Sequence, residues 1–329
     1  MIRGGALSAP PRINVRRMDE LEPGILRVTW SLPLGIDHVH CYFLRSSTGG
    51  WILVDTGLGT RDVEARWQPV LAELDAPLEL IVVTHMHPDH VGGARDVAGL
   101  TGAPVFQGRA DHEQCSRAWG ERDPERFLAY WRSHGMPQET IDGIAEESAR
   151  LQRAVHWVEH PQRLLEPGDD VDGWRVEVLP GHADGHIVLR RDGVMIAGDT
   201  ILMDITPAIG LYPRSRPDPL GDYLDSLRRI EELAPRVAYA GHKGVVTDPA
   251  GRAREIAAHH ADRLQRTEDA LSGTPALAYD VSLTLFPDNL PPALRRFATA
   301  ESLAHLERLV HEGRAARVGN AYLNAPDTM

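Results

Sequence analysis

Thr84-His85-Met86-His87-Pro88-Asp89-His90 follows directly on the apolar run Leu80-Ile81-Val82-Val83. A short, mostly β-branched run ending in three imidazoles and a carboxylate reads as a buried strand leaving the core for a loop. Along an extended chain His85 and His87 project the same way, so both can reach one ion. Pro88 holds its own φ near about −65° and keeps His87 out of helical conformation. The chain therefore turns, and Asp89 and His90 can face a neighbouring point. One histidine on an apolar face is ordinarily a satisfied core residue. Four ligand-type side chains at H-x-H-x-D-H spacing, with no thiolate among them, have the chemistry of a site for zinc or its borderline relatives.

Outward from that stretch the same arrangement recurs. Trp51-Ile52-Leu53-Val54 runs into Asp55-Thr56-Gly57, and Trp174 to Leu179 runs into Pro180-Gly181-His182-Ala183-Asp184-Gly185-His186. Val194 to Ala197 ends in Gly198-Asp199-Thr200, and Val237 to Ala240 in Gly241-His242-Lys243-Gly244. Singly, His182, Asp199 and His242 are weak candidates. As strand ends that converge on one edge of a sandwich, they join the first cluster as one site. Asp55, leaving a buried strand, is either structural or a carboxylate that orients a ligand histidine.

The 329 residues leave room for one large domain and a small one, with ordinary apolar (42%) and charged (25%) content. A formal charge of −12 leans against a general polyanion-binding surface without excluding a local basic patch. Cys41 and Cys115 make no disulfide framework. No apolar run is long enough to span a membrane, so no membrane partner is expected. Residues 1–18 carry arginines but no apolar core. They read as a flexible arm, not a secretory signal, and the expected location is the cytoplasm.

Arg61 to Leu74 reads as a helix that Pro69 kinks or divides. Residues 109–160 form an aromatic-rich helical insertion, with helices opening at Asp123-Pro124 and Pro137, either as packing or as a lid over the site. Thr206 to Pro219 is a proline-spaced loop before a helix over Leu220–Leu233. From about residue 250 the composition shifts to one helix over Arg252–Leu271, a second over Pro291–Phe297, a third capped by Thr299 and ending at His311, and a strand near Arg314–Val318. The expected division is 19–250 and 251–329.

Taken in order, Val54-Asp55-Thr56-Gly57, H-x-H-x-D-H, Pro-Gly-His, Gly-Asp-Thr and Gly-His resemble the metallo-β-lactamase fold superfamily over roughly residues 20–250. The resemblance implies an α+β, αββα sandwich with a two-metal site at one edge of the sheets. It implies that His85, His87 and His182 hold one divalent ion, that Asp89, His90 and His242 hold the other, and that Asp199 bridges them. Zinc is the first expectation, and manganese and iron also suit such ligands; no other cofactor is implied. Asp199 and Asp89 are the implied catalytic carboxylates, with Asp55, Asp184 and His186 supporting the ligands from behind. Having Asp199 and no cysteine in these motifs, the chain looks like the glyoxalase II-like branch. Leu303-Ala304-His305-Leu306-Glu307-Arg308-Leu309 with Glu312-Gly313-Arg314 resembles a winged-helix-like appendage. One departure is His40, where relatives often have Asn.

The implied reaction is attack of a metal-bridging hydroxide on the carbonyl of a small thioester or ester, a small-molecule substrate. A second reading is a phosphodiesterase or endoribonuclease whose C-terminal domain grips RNA, which requires a basic stripe along Arg252, Arg254, Arg263 and Arg266. A third is non-enzymatic, with structural metals and a tail that pairs two copies into a homodimer.

Overall fold

The computed structural model describes residues 18–33, 35–120 and 123–325, so the expected N-terminal arm, Met18 apart, lies outside the described residues. The chain enters as an antiparallel meander of β1 (Asp19–Glu22), β2 (Ile25–Ser31), β3 (His38–Arg45) and β4 (Trp51–Val54). After α1 (Val63–Ala72), β5 (Leu78–Val83) pairs parallel with β4. After α2 (Pro88–Val91) and α3 (Ala94–Thr101), β6 (Val105–Gly108) pairs parallel with β5. Then come α4 (Arg109–Cys115), a π-helical turn over Ser116–Gly120, α5 (Pro124–Ser133) and α6 (Gln138–Gln152). β7 (Arg163–Leu165) completes a seven-stranded sheet.

A second, five-stranded sheet is built from β8 (Asp170–Val171), β9 (Trp174–Val178), β10 (Ile187–Arg191) and β11 (Val194–Gly198), all antiparallel. Helix α7 (Pro219–Leu233) then returns the chain to β12 (Val237–Ala240), parallel to β11. The remainder is α8 (Pro249–Asp269), β13 (Ala276–Leu277), α9 (Ala278–Leu285), α10 (Pro292–His311) and the hairpin β14 (Ala315–Val318)–β15 (Ala321–Asn324).

Strand alternation builds the layers. In β5, Leu80 and Val82 enter a core with Val176, Leu189 and Ile196 of the second sheet, while Ile81 and Val83 face Trp67 of α1 and Val97 of α3. In β11, Val194 and Ile196 join the same central core, while Met195 and Ala197 pack on Leu227 of α7 and Ile256 of α8. Each strand thus serves two apolar layers with a period of two, and the result is the αββα sandwich. Each fully buried aliphatic side chain contributes on the order of 2 kcal/mol to it.

Three Asp-Pro pairs start helices. The carboxylates of Asp123, Asp218 and Asp248 each accept the backbone N–H three residues on, and the proline occupies the first helical position, where no N–H is needed. Pro69 lies inside a single helix, α1, and does not divide it, with Trp67 and Val70 both buried. The two helices expected over Pro291–His311 are one, α10. Thr299 does not cap a helix there; its hydroxyl donates to the Arg295 carbonyl one turn back (2.9 Å), so the chain continues through it. Helix α9 was not legible in the sequence.

The insertion and the tail share one apolar core. Trp131, Ile141 and Ile144 of α5 and α6 are buried with Leu303 and Leu306 of α10, Leu264 of α8 and Leu220 of α7. Helices α5 and α6 therefore pack against the C-terminal helices. His260 of α8 and His305 of α10 are fully buried with their rings in contact, Nδ1 to Nε2 at 3.2 Å, beside the edge of Tyr223. No described helix is long and apolar enough to cross a membrane.

Candidate metal centre

The strand ends identified in the sequence meet at one edge of the sandwich. Asp55, just past β4, adopts a left-handed backbone (φ 62°), uncommon for a residue with a Cβ. From that position its carboxylate accepts the backbone N–H and the hydroxyl of Thr84 and faces Nδ1 of His90, each at 2.8 Å. The Thr84 oxygen, having donated to Asp55, accepts from Nδ1 of His85 at 3.0 Å. His182 Nδ1 donates to the Ala208 carbonyl (2.9 Å) and His242 Nδ1 to the His38 carbonyl (2.5 Å). In His85, His90, His182 and His242 the outer nitrogen is thus occupied and Nε2 faces inward with its lone pair, as metal-holding imidazoles require. His87 is reversed: its Nδ1 lies 3.1 Å from His85 Nε2.

Asp199 sits among these nitrogens. Its Oδ2 lies 3.1 Å from His242 Nε2 and 3.5 Å from His182 Nε2, and its Oδ1 lies 3.4 Å from His90 Nε2. Asp89 Oδ2 approaches His242 Nε2 at 3.4 Å. Three groups have donor atoms within 4.8 Å of one another: His85, His87 and His182; His85, His90 and Asp199; and Asp89, His90 and His242. All seven residues expected as ligands are therefore brought together. Nε2 of His90 and of His182 and Oδ1 of Asp199 are buried with no hydrogen-bond partner. Orphaned buried polar atoms are costly, and nitrogen and oxygen donors converging this way fit divalent cations.

Electrostatics favours the ligand forms of His85, His87, His182 and Asp199, whereas at His90 and His242 it favours a proton that an arriving cation would displace. Burial, reinforced by neighbouring imidazoles, holds His85 and His87 well below the ordinary histidine value, and burial also lowers His182. Burial opposes ionisation of Asp199, but His242 and His90 outweigh it and hold the carboxyl well below its usual range. The same carboxylate, with Asp89, outweighs burial at His242 and raises its pKa, and at His90 Asp199 and Asp55 do likewise.

Behind these side chains stands a layer that sequence reading found only in part. His186 stacks on His85 with ring centroids 4.5 Å apart and accepts the Asp199 backbone N–H at Nε2 (3.0 Å). It therefore aims Asp199 rather than joining it. Asp184 is turned elsewhere: its N–H donates to Gln114 of α4 and its carboxylate accepts the Arg216 N–H (3.2 Å), so these bonds tie it to α4 and to the 206–218 loop and not to a ligand histidine.

The Met86 peptide, between His85 and His87, is held on both sides. Its N–H donates to Asp111 (2.9 Å) and its carbonyl accepts from Trp119 Nε1 (2.9 Å). Asp111 is fully buried, and burial pushes its pKa up to about 8. The beginning of the insertion thus buttresses the ligand loop.

His40 has a comparable task. Its Nδ1 bonds Thr29 (2.9 Å) and its Nε2 donates to the Lys243 carbonyl (3.0 Å), while His38 Nε2 accepts the Lys243 N–H (3.0 Å). Two imidazoles of β3 clamp the peptide beside His242. The nearest signal in the sequence was the H-x-H spacing of His38 and His40 at the start of a strand.

Close approach also fixes Gly241. A Cβ there would lie 2.4 Å from Asp199 Oδ1 and 2.6 Å from His90 Cε1. Gly241→Ala is expected to bind divalent metal at least about tenfold more weakly, the scale of losses when ligand support is disturbed. Chelator competition checks it, and an unchanged affinity would show that the ligands do not need this spacing.

Residues 34–242, more than half of the chain, match the family model described as the metallo-beta-lactamase superfamily, and residues 264–322 match the metallo-beta-lactamase-like C-terminal domain. A Bacillus subtilis (strain 168) protein named "Probable metallo-hydrolase YqjP" is 27% identical, over 88% of this chain and 92% of its own length. The crystal structure of a metallo-beta-lactamase family protein from Thermus thermophilus superposes with a TM-score of 0.81 at 37% identity, covering 93% of this chain and 100% of that one. An atrochrysone carboxyl ACP thioesterase from Aspergillus fumigatus is 25% identical, over 78% of this chain and 66% of its own length. The chain belongs to the metallo-beta-lactamase superfamily and is a metal-dependent hydrolase.

Proposed function

We propose that the protein is a binuclear hydrolase of small thioesters or esters, in the glyoxalase II-like manner, with zinc as the first candidate for both ions. The observation that carries the reading is the place of Asp199, whose two oxygens reach imidazoles of both ligand groups. His85, His87 and His182 would hold one ion and Asp89, His90 and His242 the other, with Asp199 setting their separation. Bound there, the ions would supply a water ionised near neutral pH and polarise the electrophile's oxygen. Asp55, Thr84 and His186 keep the ligands aimed, so little reorganisation accompanies reaction. Asp89, whose Oδ2 lies 3.4 Å from His242 Nε2, would orient the water.

The ligands alone do not choose between carbon and phosphorus. For carbonyl chemistry speaks the relative named for thioester cleavage. RNA cleavage would need the arginine stripe, and three of its four members are engaged elsewhere: Arg252 with the carbonyls of Leu202 and Ile205, Arg254 with Glu231, and Arg263 with Glu301. We keep the division into a hydrolase domain to residue 250 and a winged-helix-like appendage beyond it as part of the proposal. It is supported by the two separately matched stretches and by the β14–β15 hairpin that follows α10.

The test compares initial rates of metal-reconstituted protein on an acyl thioester and on an activated phosphodiester, with chelated protein as blank. Metal-dependent turnover of the thioester alone is expected. Turnover of the diester alone would replace this reading with phosphoryl chemistry.

A further inference from the structure

The longest stretch without regular structure between two elements of the sandwich is Thr200–Asp218, joining β11 to α7. It starts beside Asp199 and passes the carbonyl that orients His182. Loops of this length inside a domain are uncommon unless they serve a site, and left alone they fluctuate. This one is fastened along its whole course, by His182 and Asp184 of the motifs and by residues of several helices.

Tyr223 Oη donates to the Thr200 carbonyl (2.9 Å). The Arg252 guanidinium, from the first turns of α8, donates Nε to the Leu202 carbonyl (2.8 Å) and Nη2 to the Ile205 carbonyl (3.1 Å). Ala208 then accepts from His182. Leu211 donates its N–H to the Ala300 carbonyl in mid-α10 (3.0 Å), and its own carbonyl accepts from Tyr130 of α5 (3.2 Å). At the far end Arg308 of α10 bonds Asp218 at 3.0 Å.

We infer that Arg252 is a positioning residue of the metal centre, through which the C-terminal helices hold Asp199 and His182 at their separation. The inference rests on the metal-site reading above. Among these fasteners Arg252 is the one that reaches two carbonyls between Asp199 and Ala208, and its donors are charged, planar and set in a fixed fork. Its side chain is only 18% exposed, and besides these carbonyls it meets Glu255, which is 68% exposed. Without it two carbonyls lose a charged donor, and the segment between Asp199 and the His182 anchor is free to shift. The C-terminal appendage then also supports the metal centre, through this one guanidinium.

The experiment measures divalent zinc affinity by chelator competition in the full chain, for wild type, Arg252→Met, Arg252→Lys and Tyr130→Phe, with Glu255→Gln as control. Methionine keeps much of the stem's bulk and removes both donors. The expected result is about tenfold weaker zinc binding for Arg252→Met, the lower end of what supporting partners cost. Partial rescue by Arg252→Lys, about two- to threefold weakening for Tyr130→Phe, which loses one neutral hydrogen bond, and no change for Glu255→Gln are also expected. A purely structural role would lower the unfolding midpoint of the metal-free protein while leaving zinc affinity of the folded fraction at the wild-type value, and that outcome overturns the inference. Tyr130→Phe, which deletes one hydroxyl, keeps the test open should Arg252→Met fail to fold; wild-type affinity in that variant counts against the inference as well. Failure of wild type itself to take up zinc or manganese would overturn the metal-site reading and this inference with it. Equal affinities in wild type and variants would overturn the inference alone.

Discussion

Asp199→Asn is expected to keep the fold and lose at least about a thousandfold in turnover, on the order of 4 kcal/mol of activation free energy. The substitution preserves shape but replaces a charged oxygen by a nitrogen with two hydrogens. In either orientation of the amide one anionic oxygen becomes an NH2 with no lone pair to offer an ion, beside Nε2 of His90 in one case and beside Nε2 of His182 and of His242 in the other. Metal affinity should fall by more than the roughly 10–100-fold seen when a supporting residue is removed, because here a donor itself is lost. Parallel measurement of bound metal and initial rate decides the matter. A variant with full metal content and an unchanged rate would remove Asp199 from the machinery.

The second large effect concerns acid. His260 and His305 are buried neutral, and burial is the main cause holding their pKa values at about 2 and about 4. In the unfolded chain both titrate near about 6.5. Below that pH the unfolded state binds protons that the folded state refuses, so it is the unfolded state that acid stabilises. Stability from this pair is fully present above about pH 6.5 and declines as pH falls. Each group costs up to about 1.4 kcal/mol per pH unit, or about 4 kcal/mol for the pair by pH 5. Urea unfolding of the metal-free protein at pH 7.5 and pH 5 should show that loss, and a His260→Leu/His305→Leu variant should show a shallower dependence. Equal slopes in the two proteins would place the acid sensitivity elsewhere.

What could be read from the sequence was what depends on short-range spacing. The H-x-H-x-D-H cluster lies within one turn of chain after a strand, and the other three ligands repeat the same strand-then-ligand grammar. The geometry therefore followed once the strands shared an edge. Alternation in β5 and β11 likewise announces sheets with two covered faces. The unread part depends on bonds between distant stretches and backbone groups.

Asp111, Trp119 and Arg252 act on carbonyls and N–H groups, which every residue has, so no pattern of side chains marks their targets. Asp184 shared a motif with His182 and His186 but bonds Arg216 and Gln114 instead of a ligand. His40, a departure without a stated consequence in the sequence, proves to hold the Lys243 peptide. Thr299 resembled a helix start because its hydroxyl suits one; apolar packing on both sides carried α10 through it.

The fasteners of the Thr200–Asp218 loop have a bearing on how the molecule is made. All seven ligand-type residues precede residue 243, whereas the guanidinium and the mid-helix carbonyl that still the loop belong to residues 252 and 300. A chain growing from the ribosome displays every donor before it has synthesised these two fasteners, and domains settle in order of emergence. If Arg252 positions the centre, half-made or prematurely terminated copies would hold the Asp199-to-His182 segment more loosely and compete less well for scarce ions, and loading would then come late, near the completion of translation.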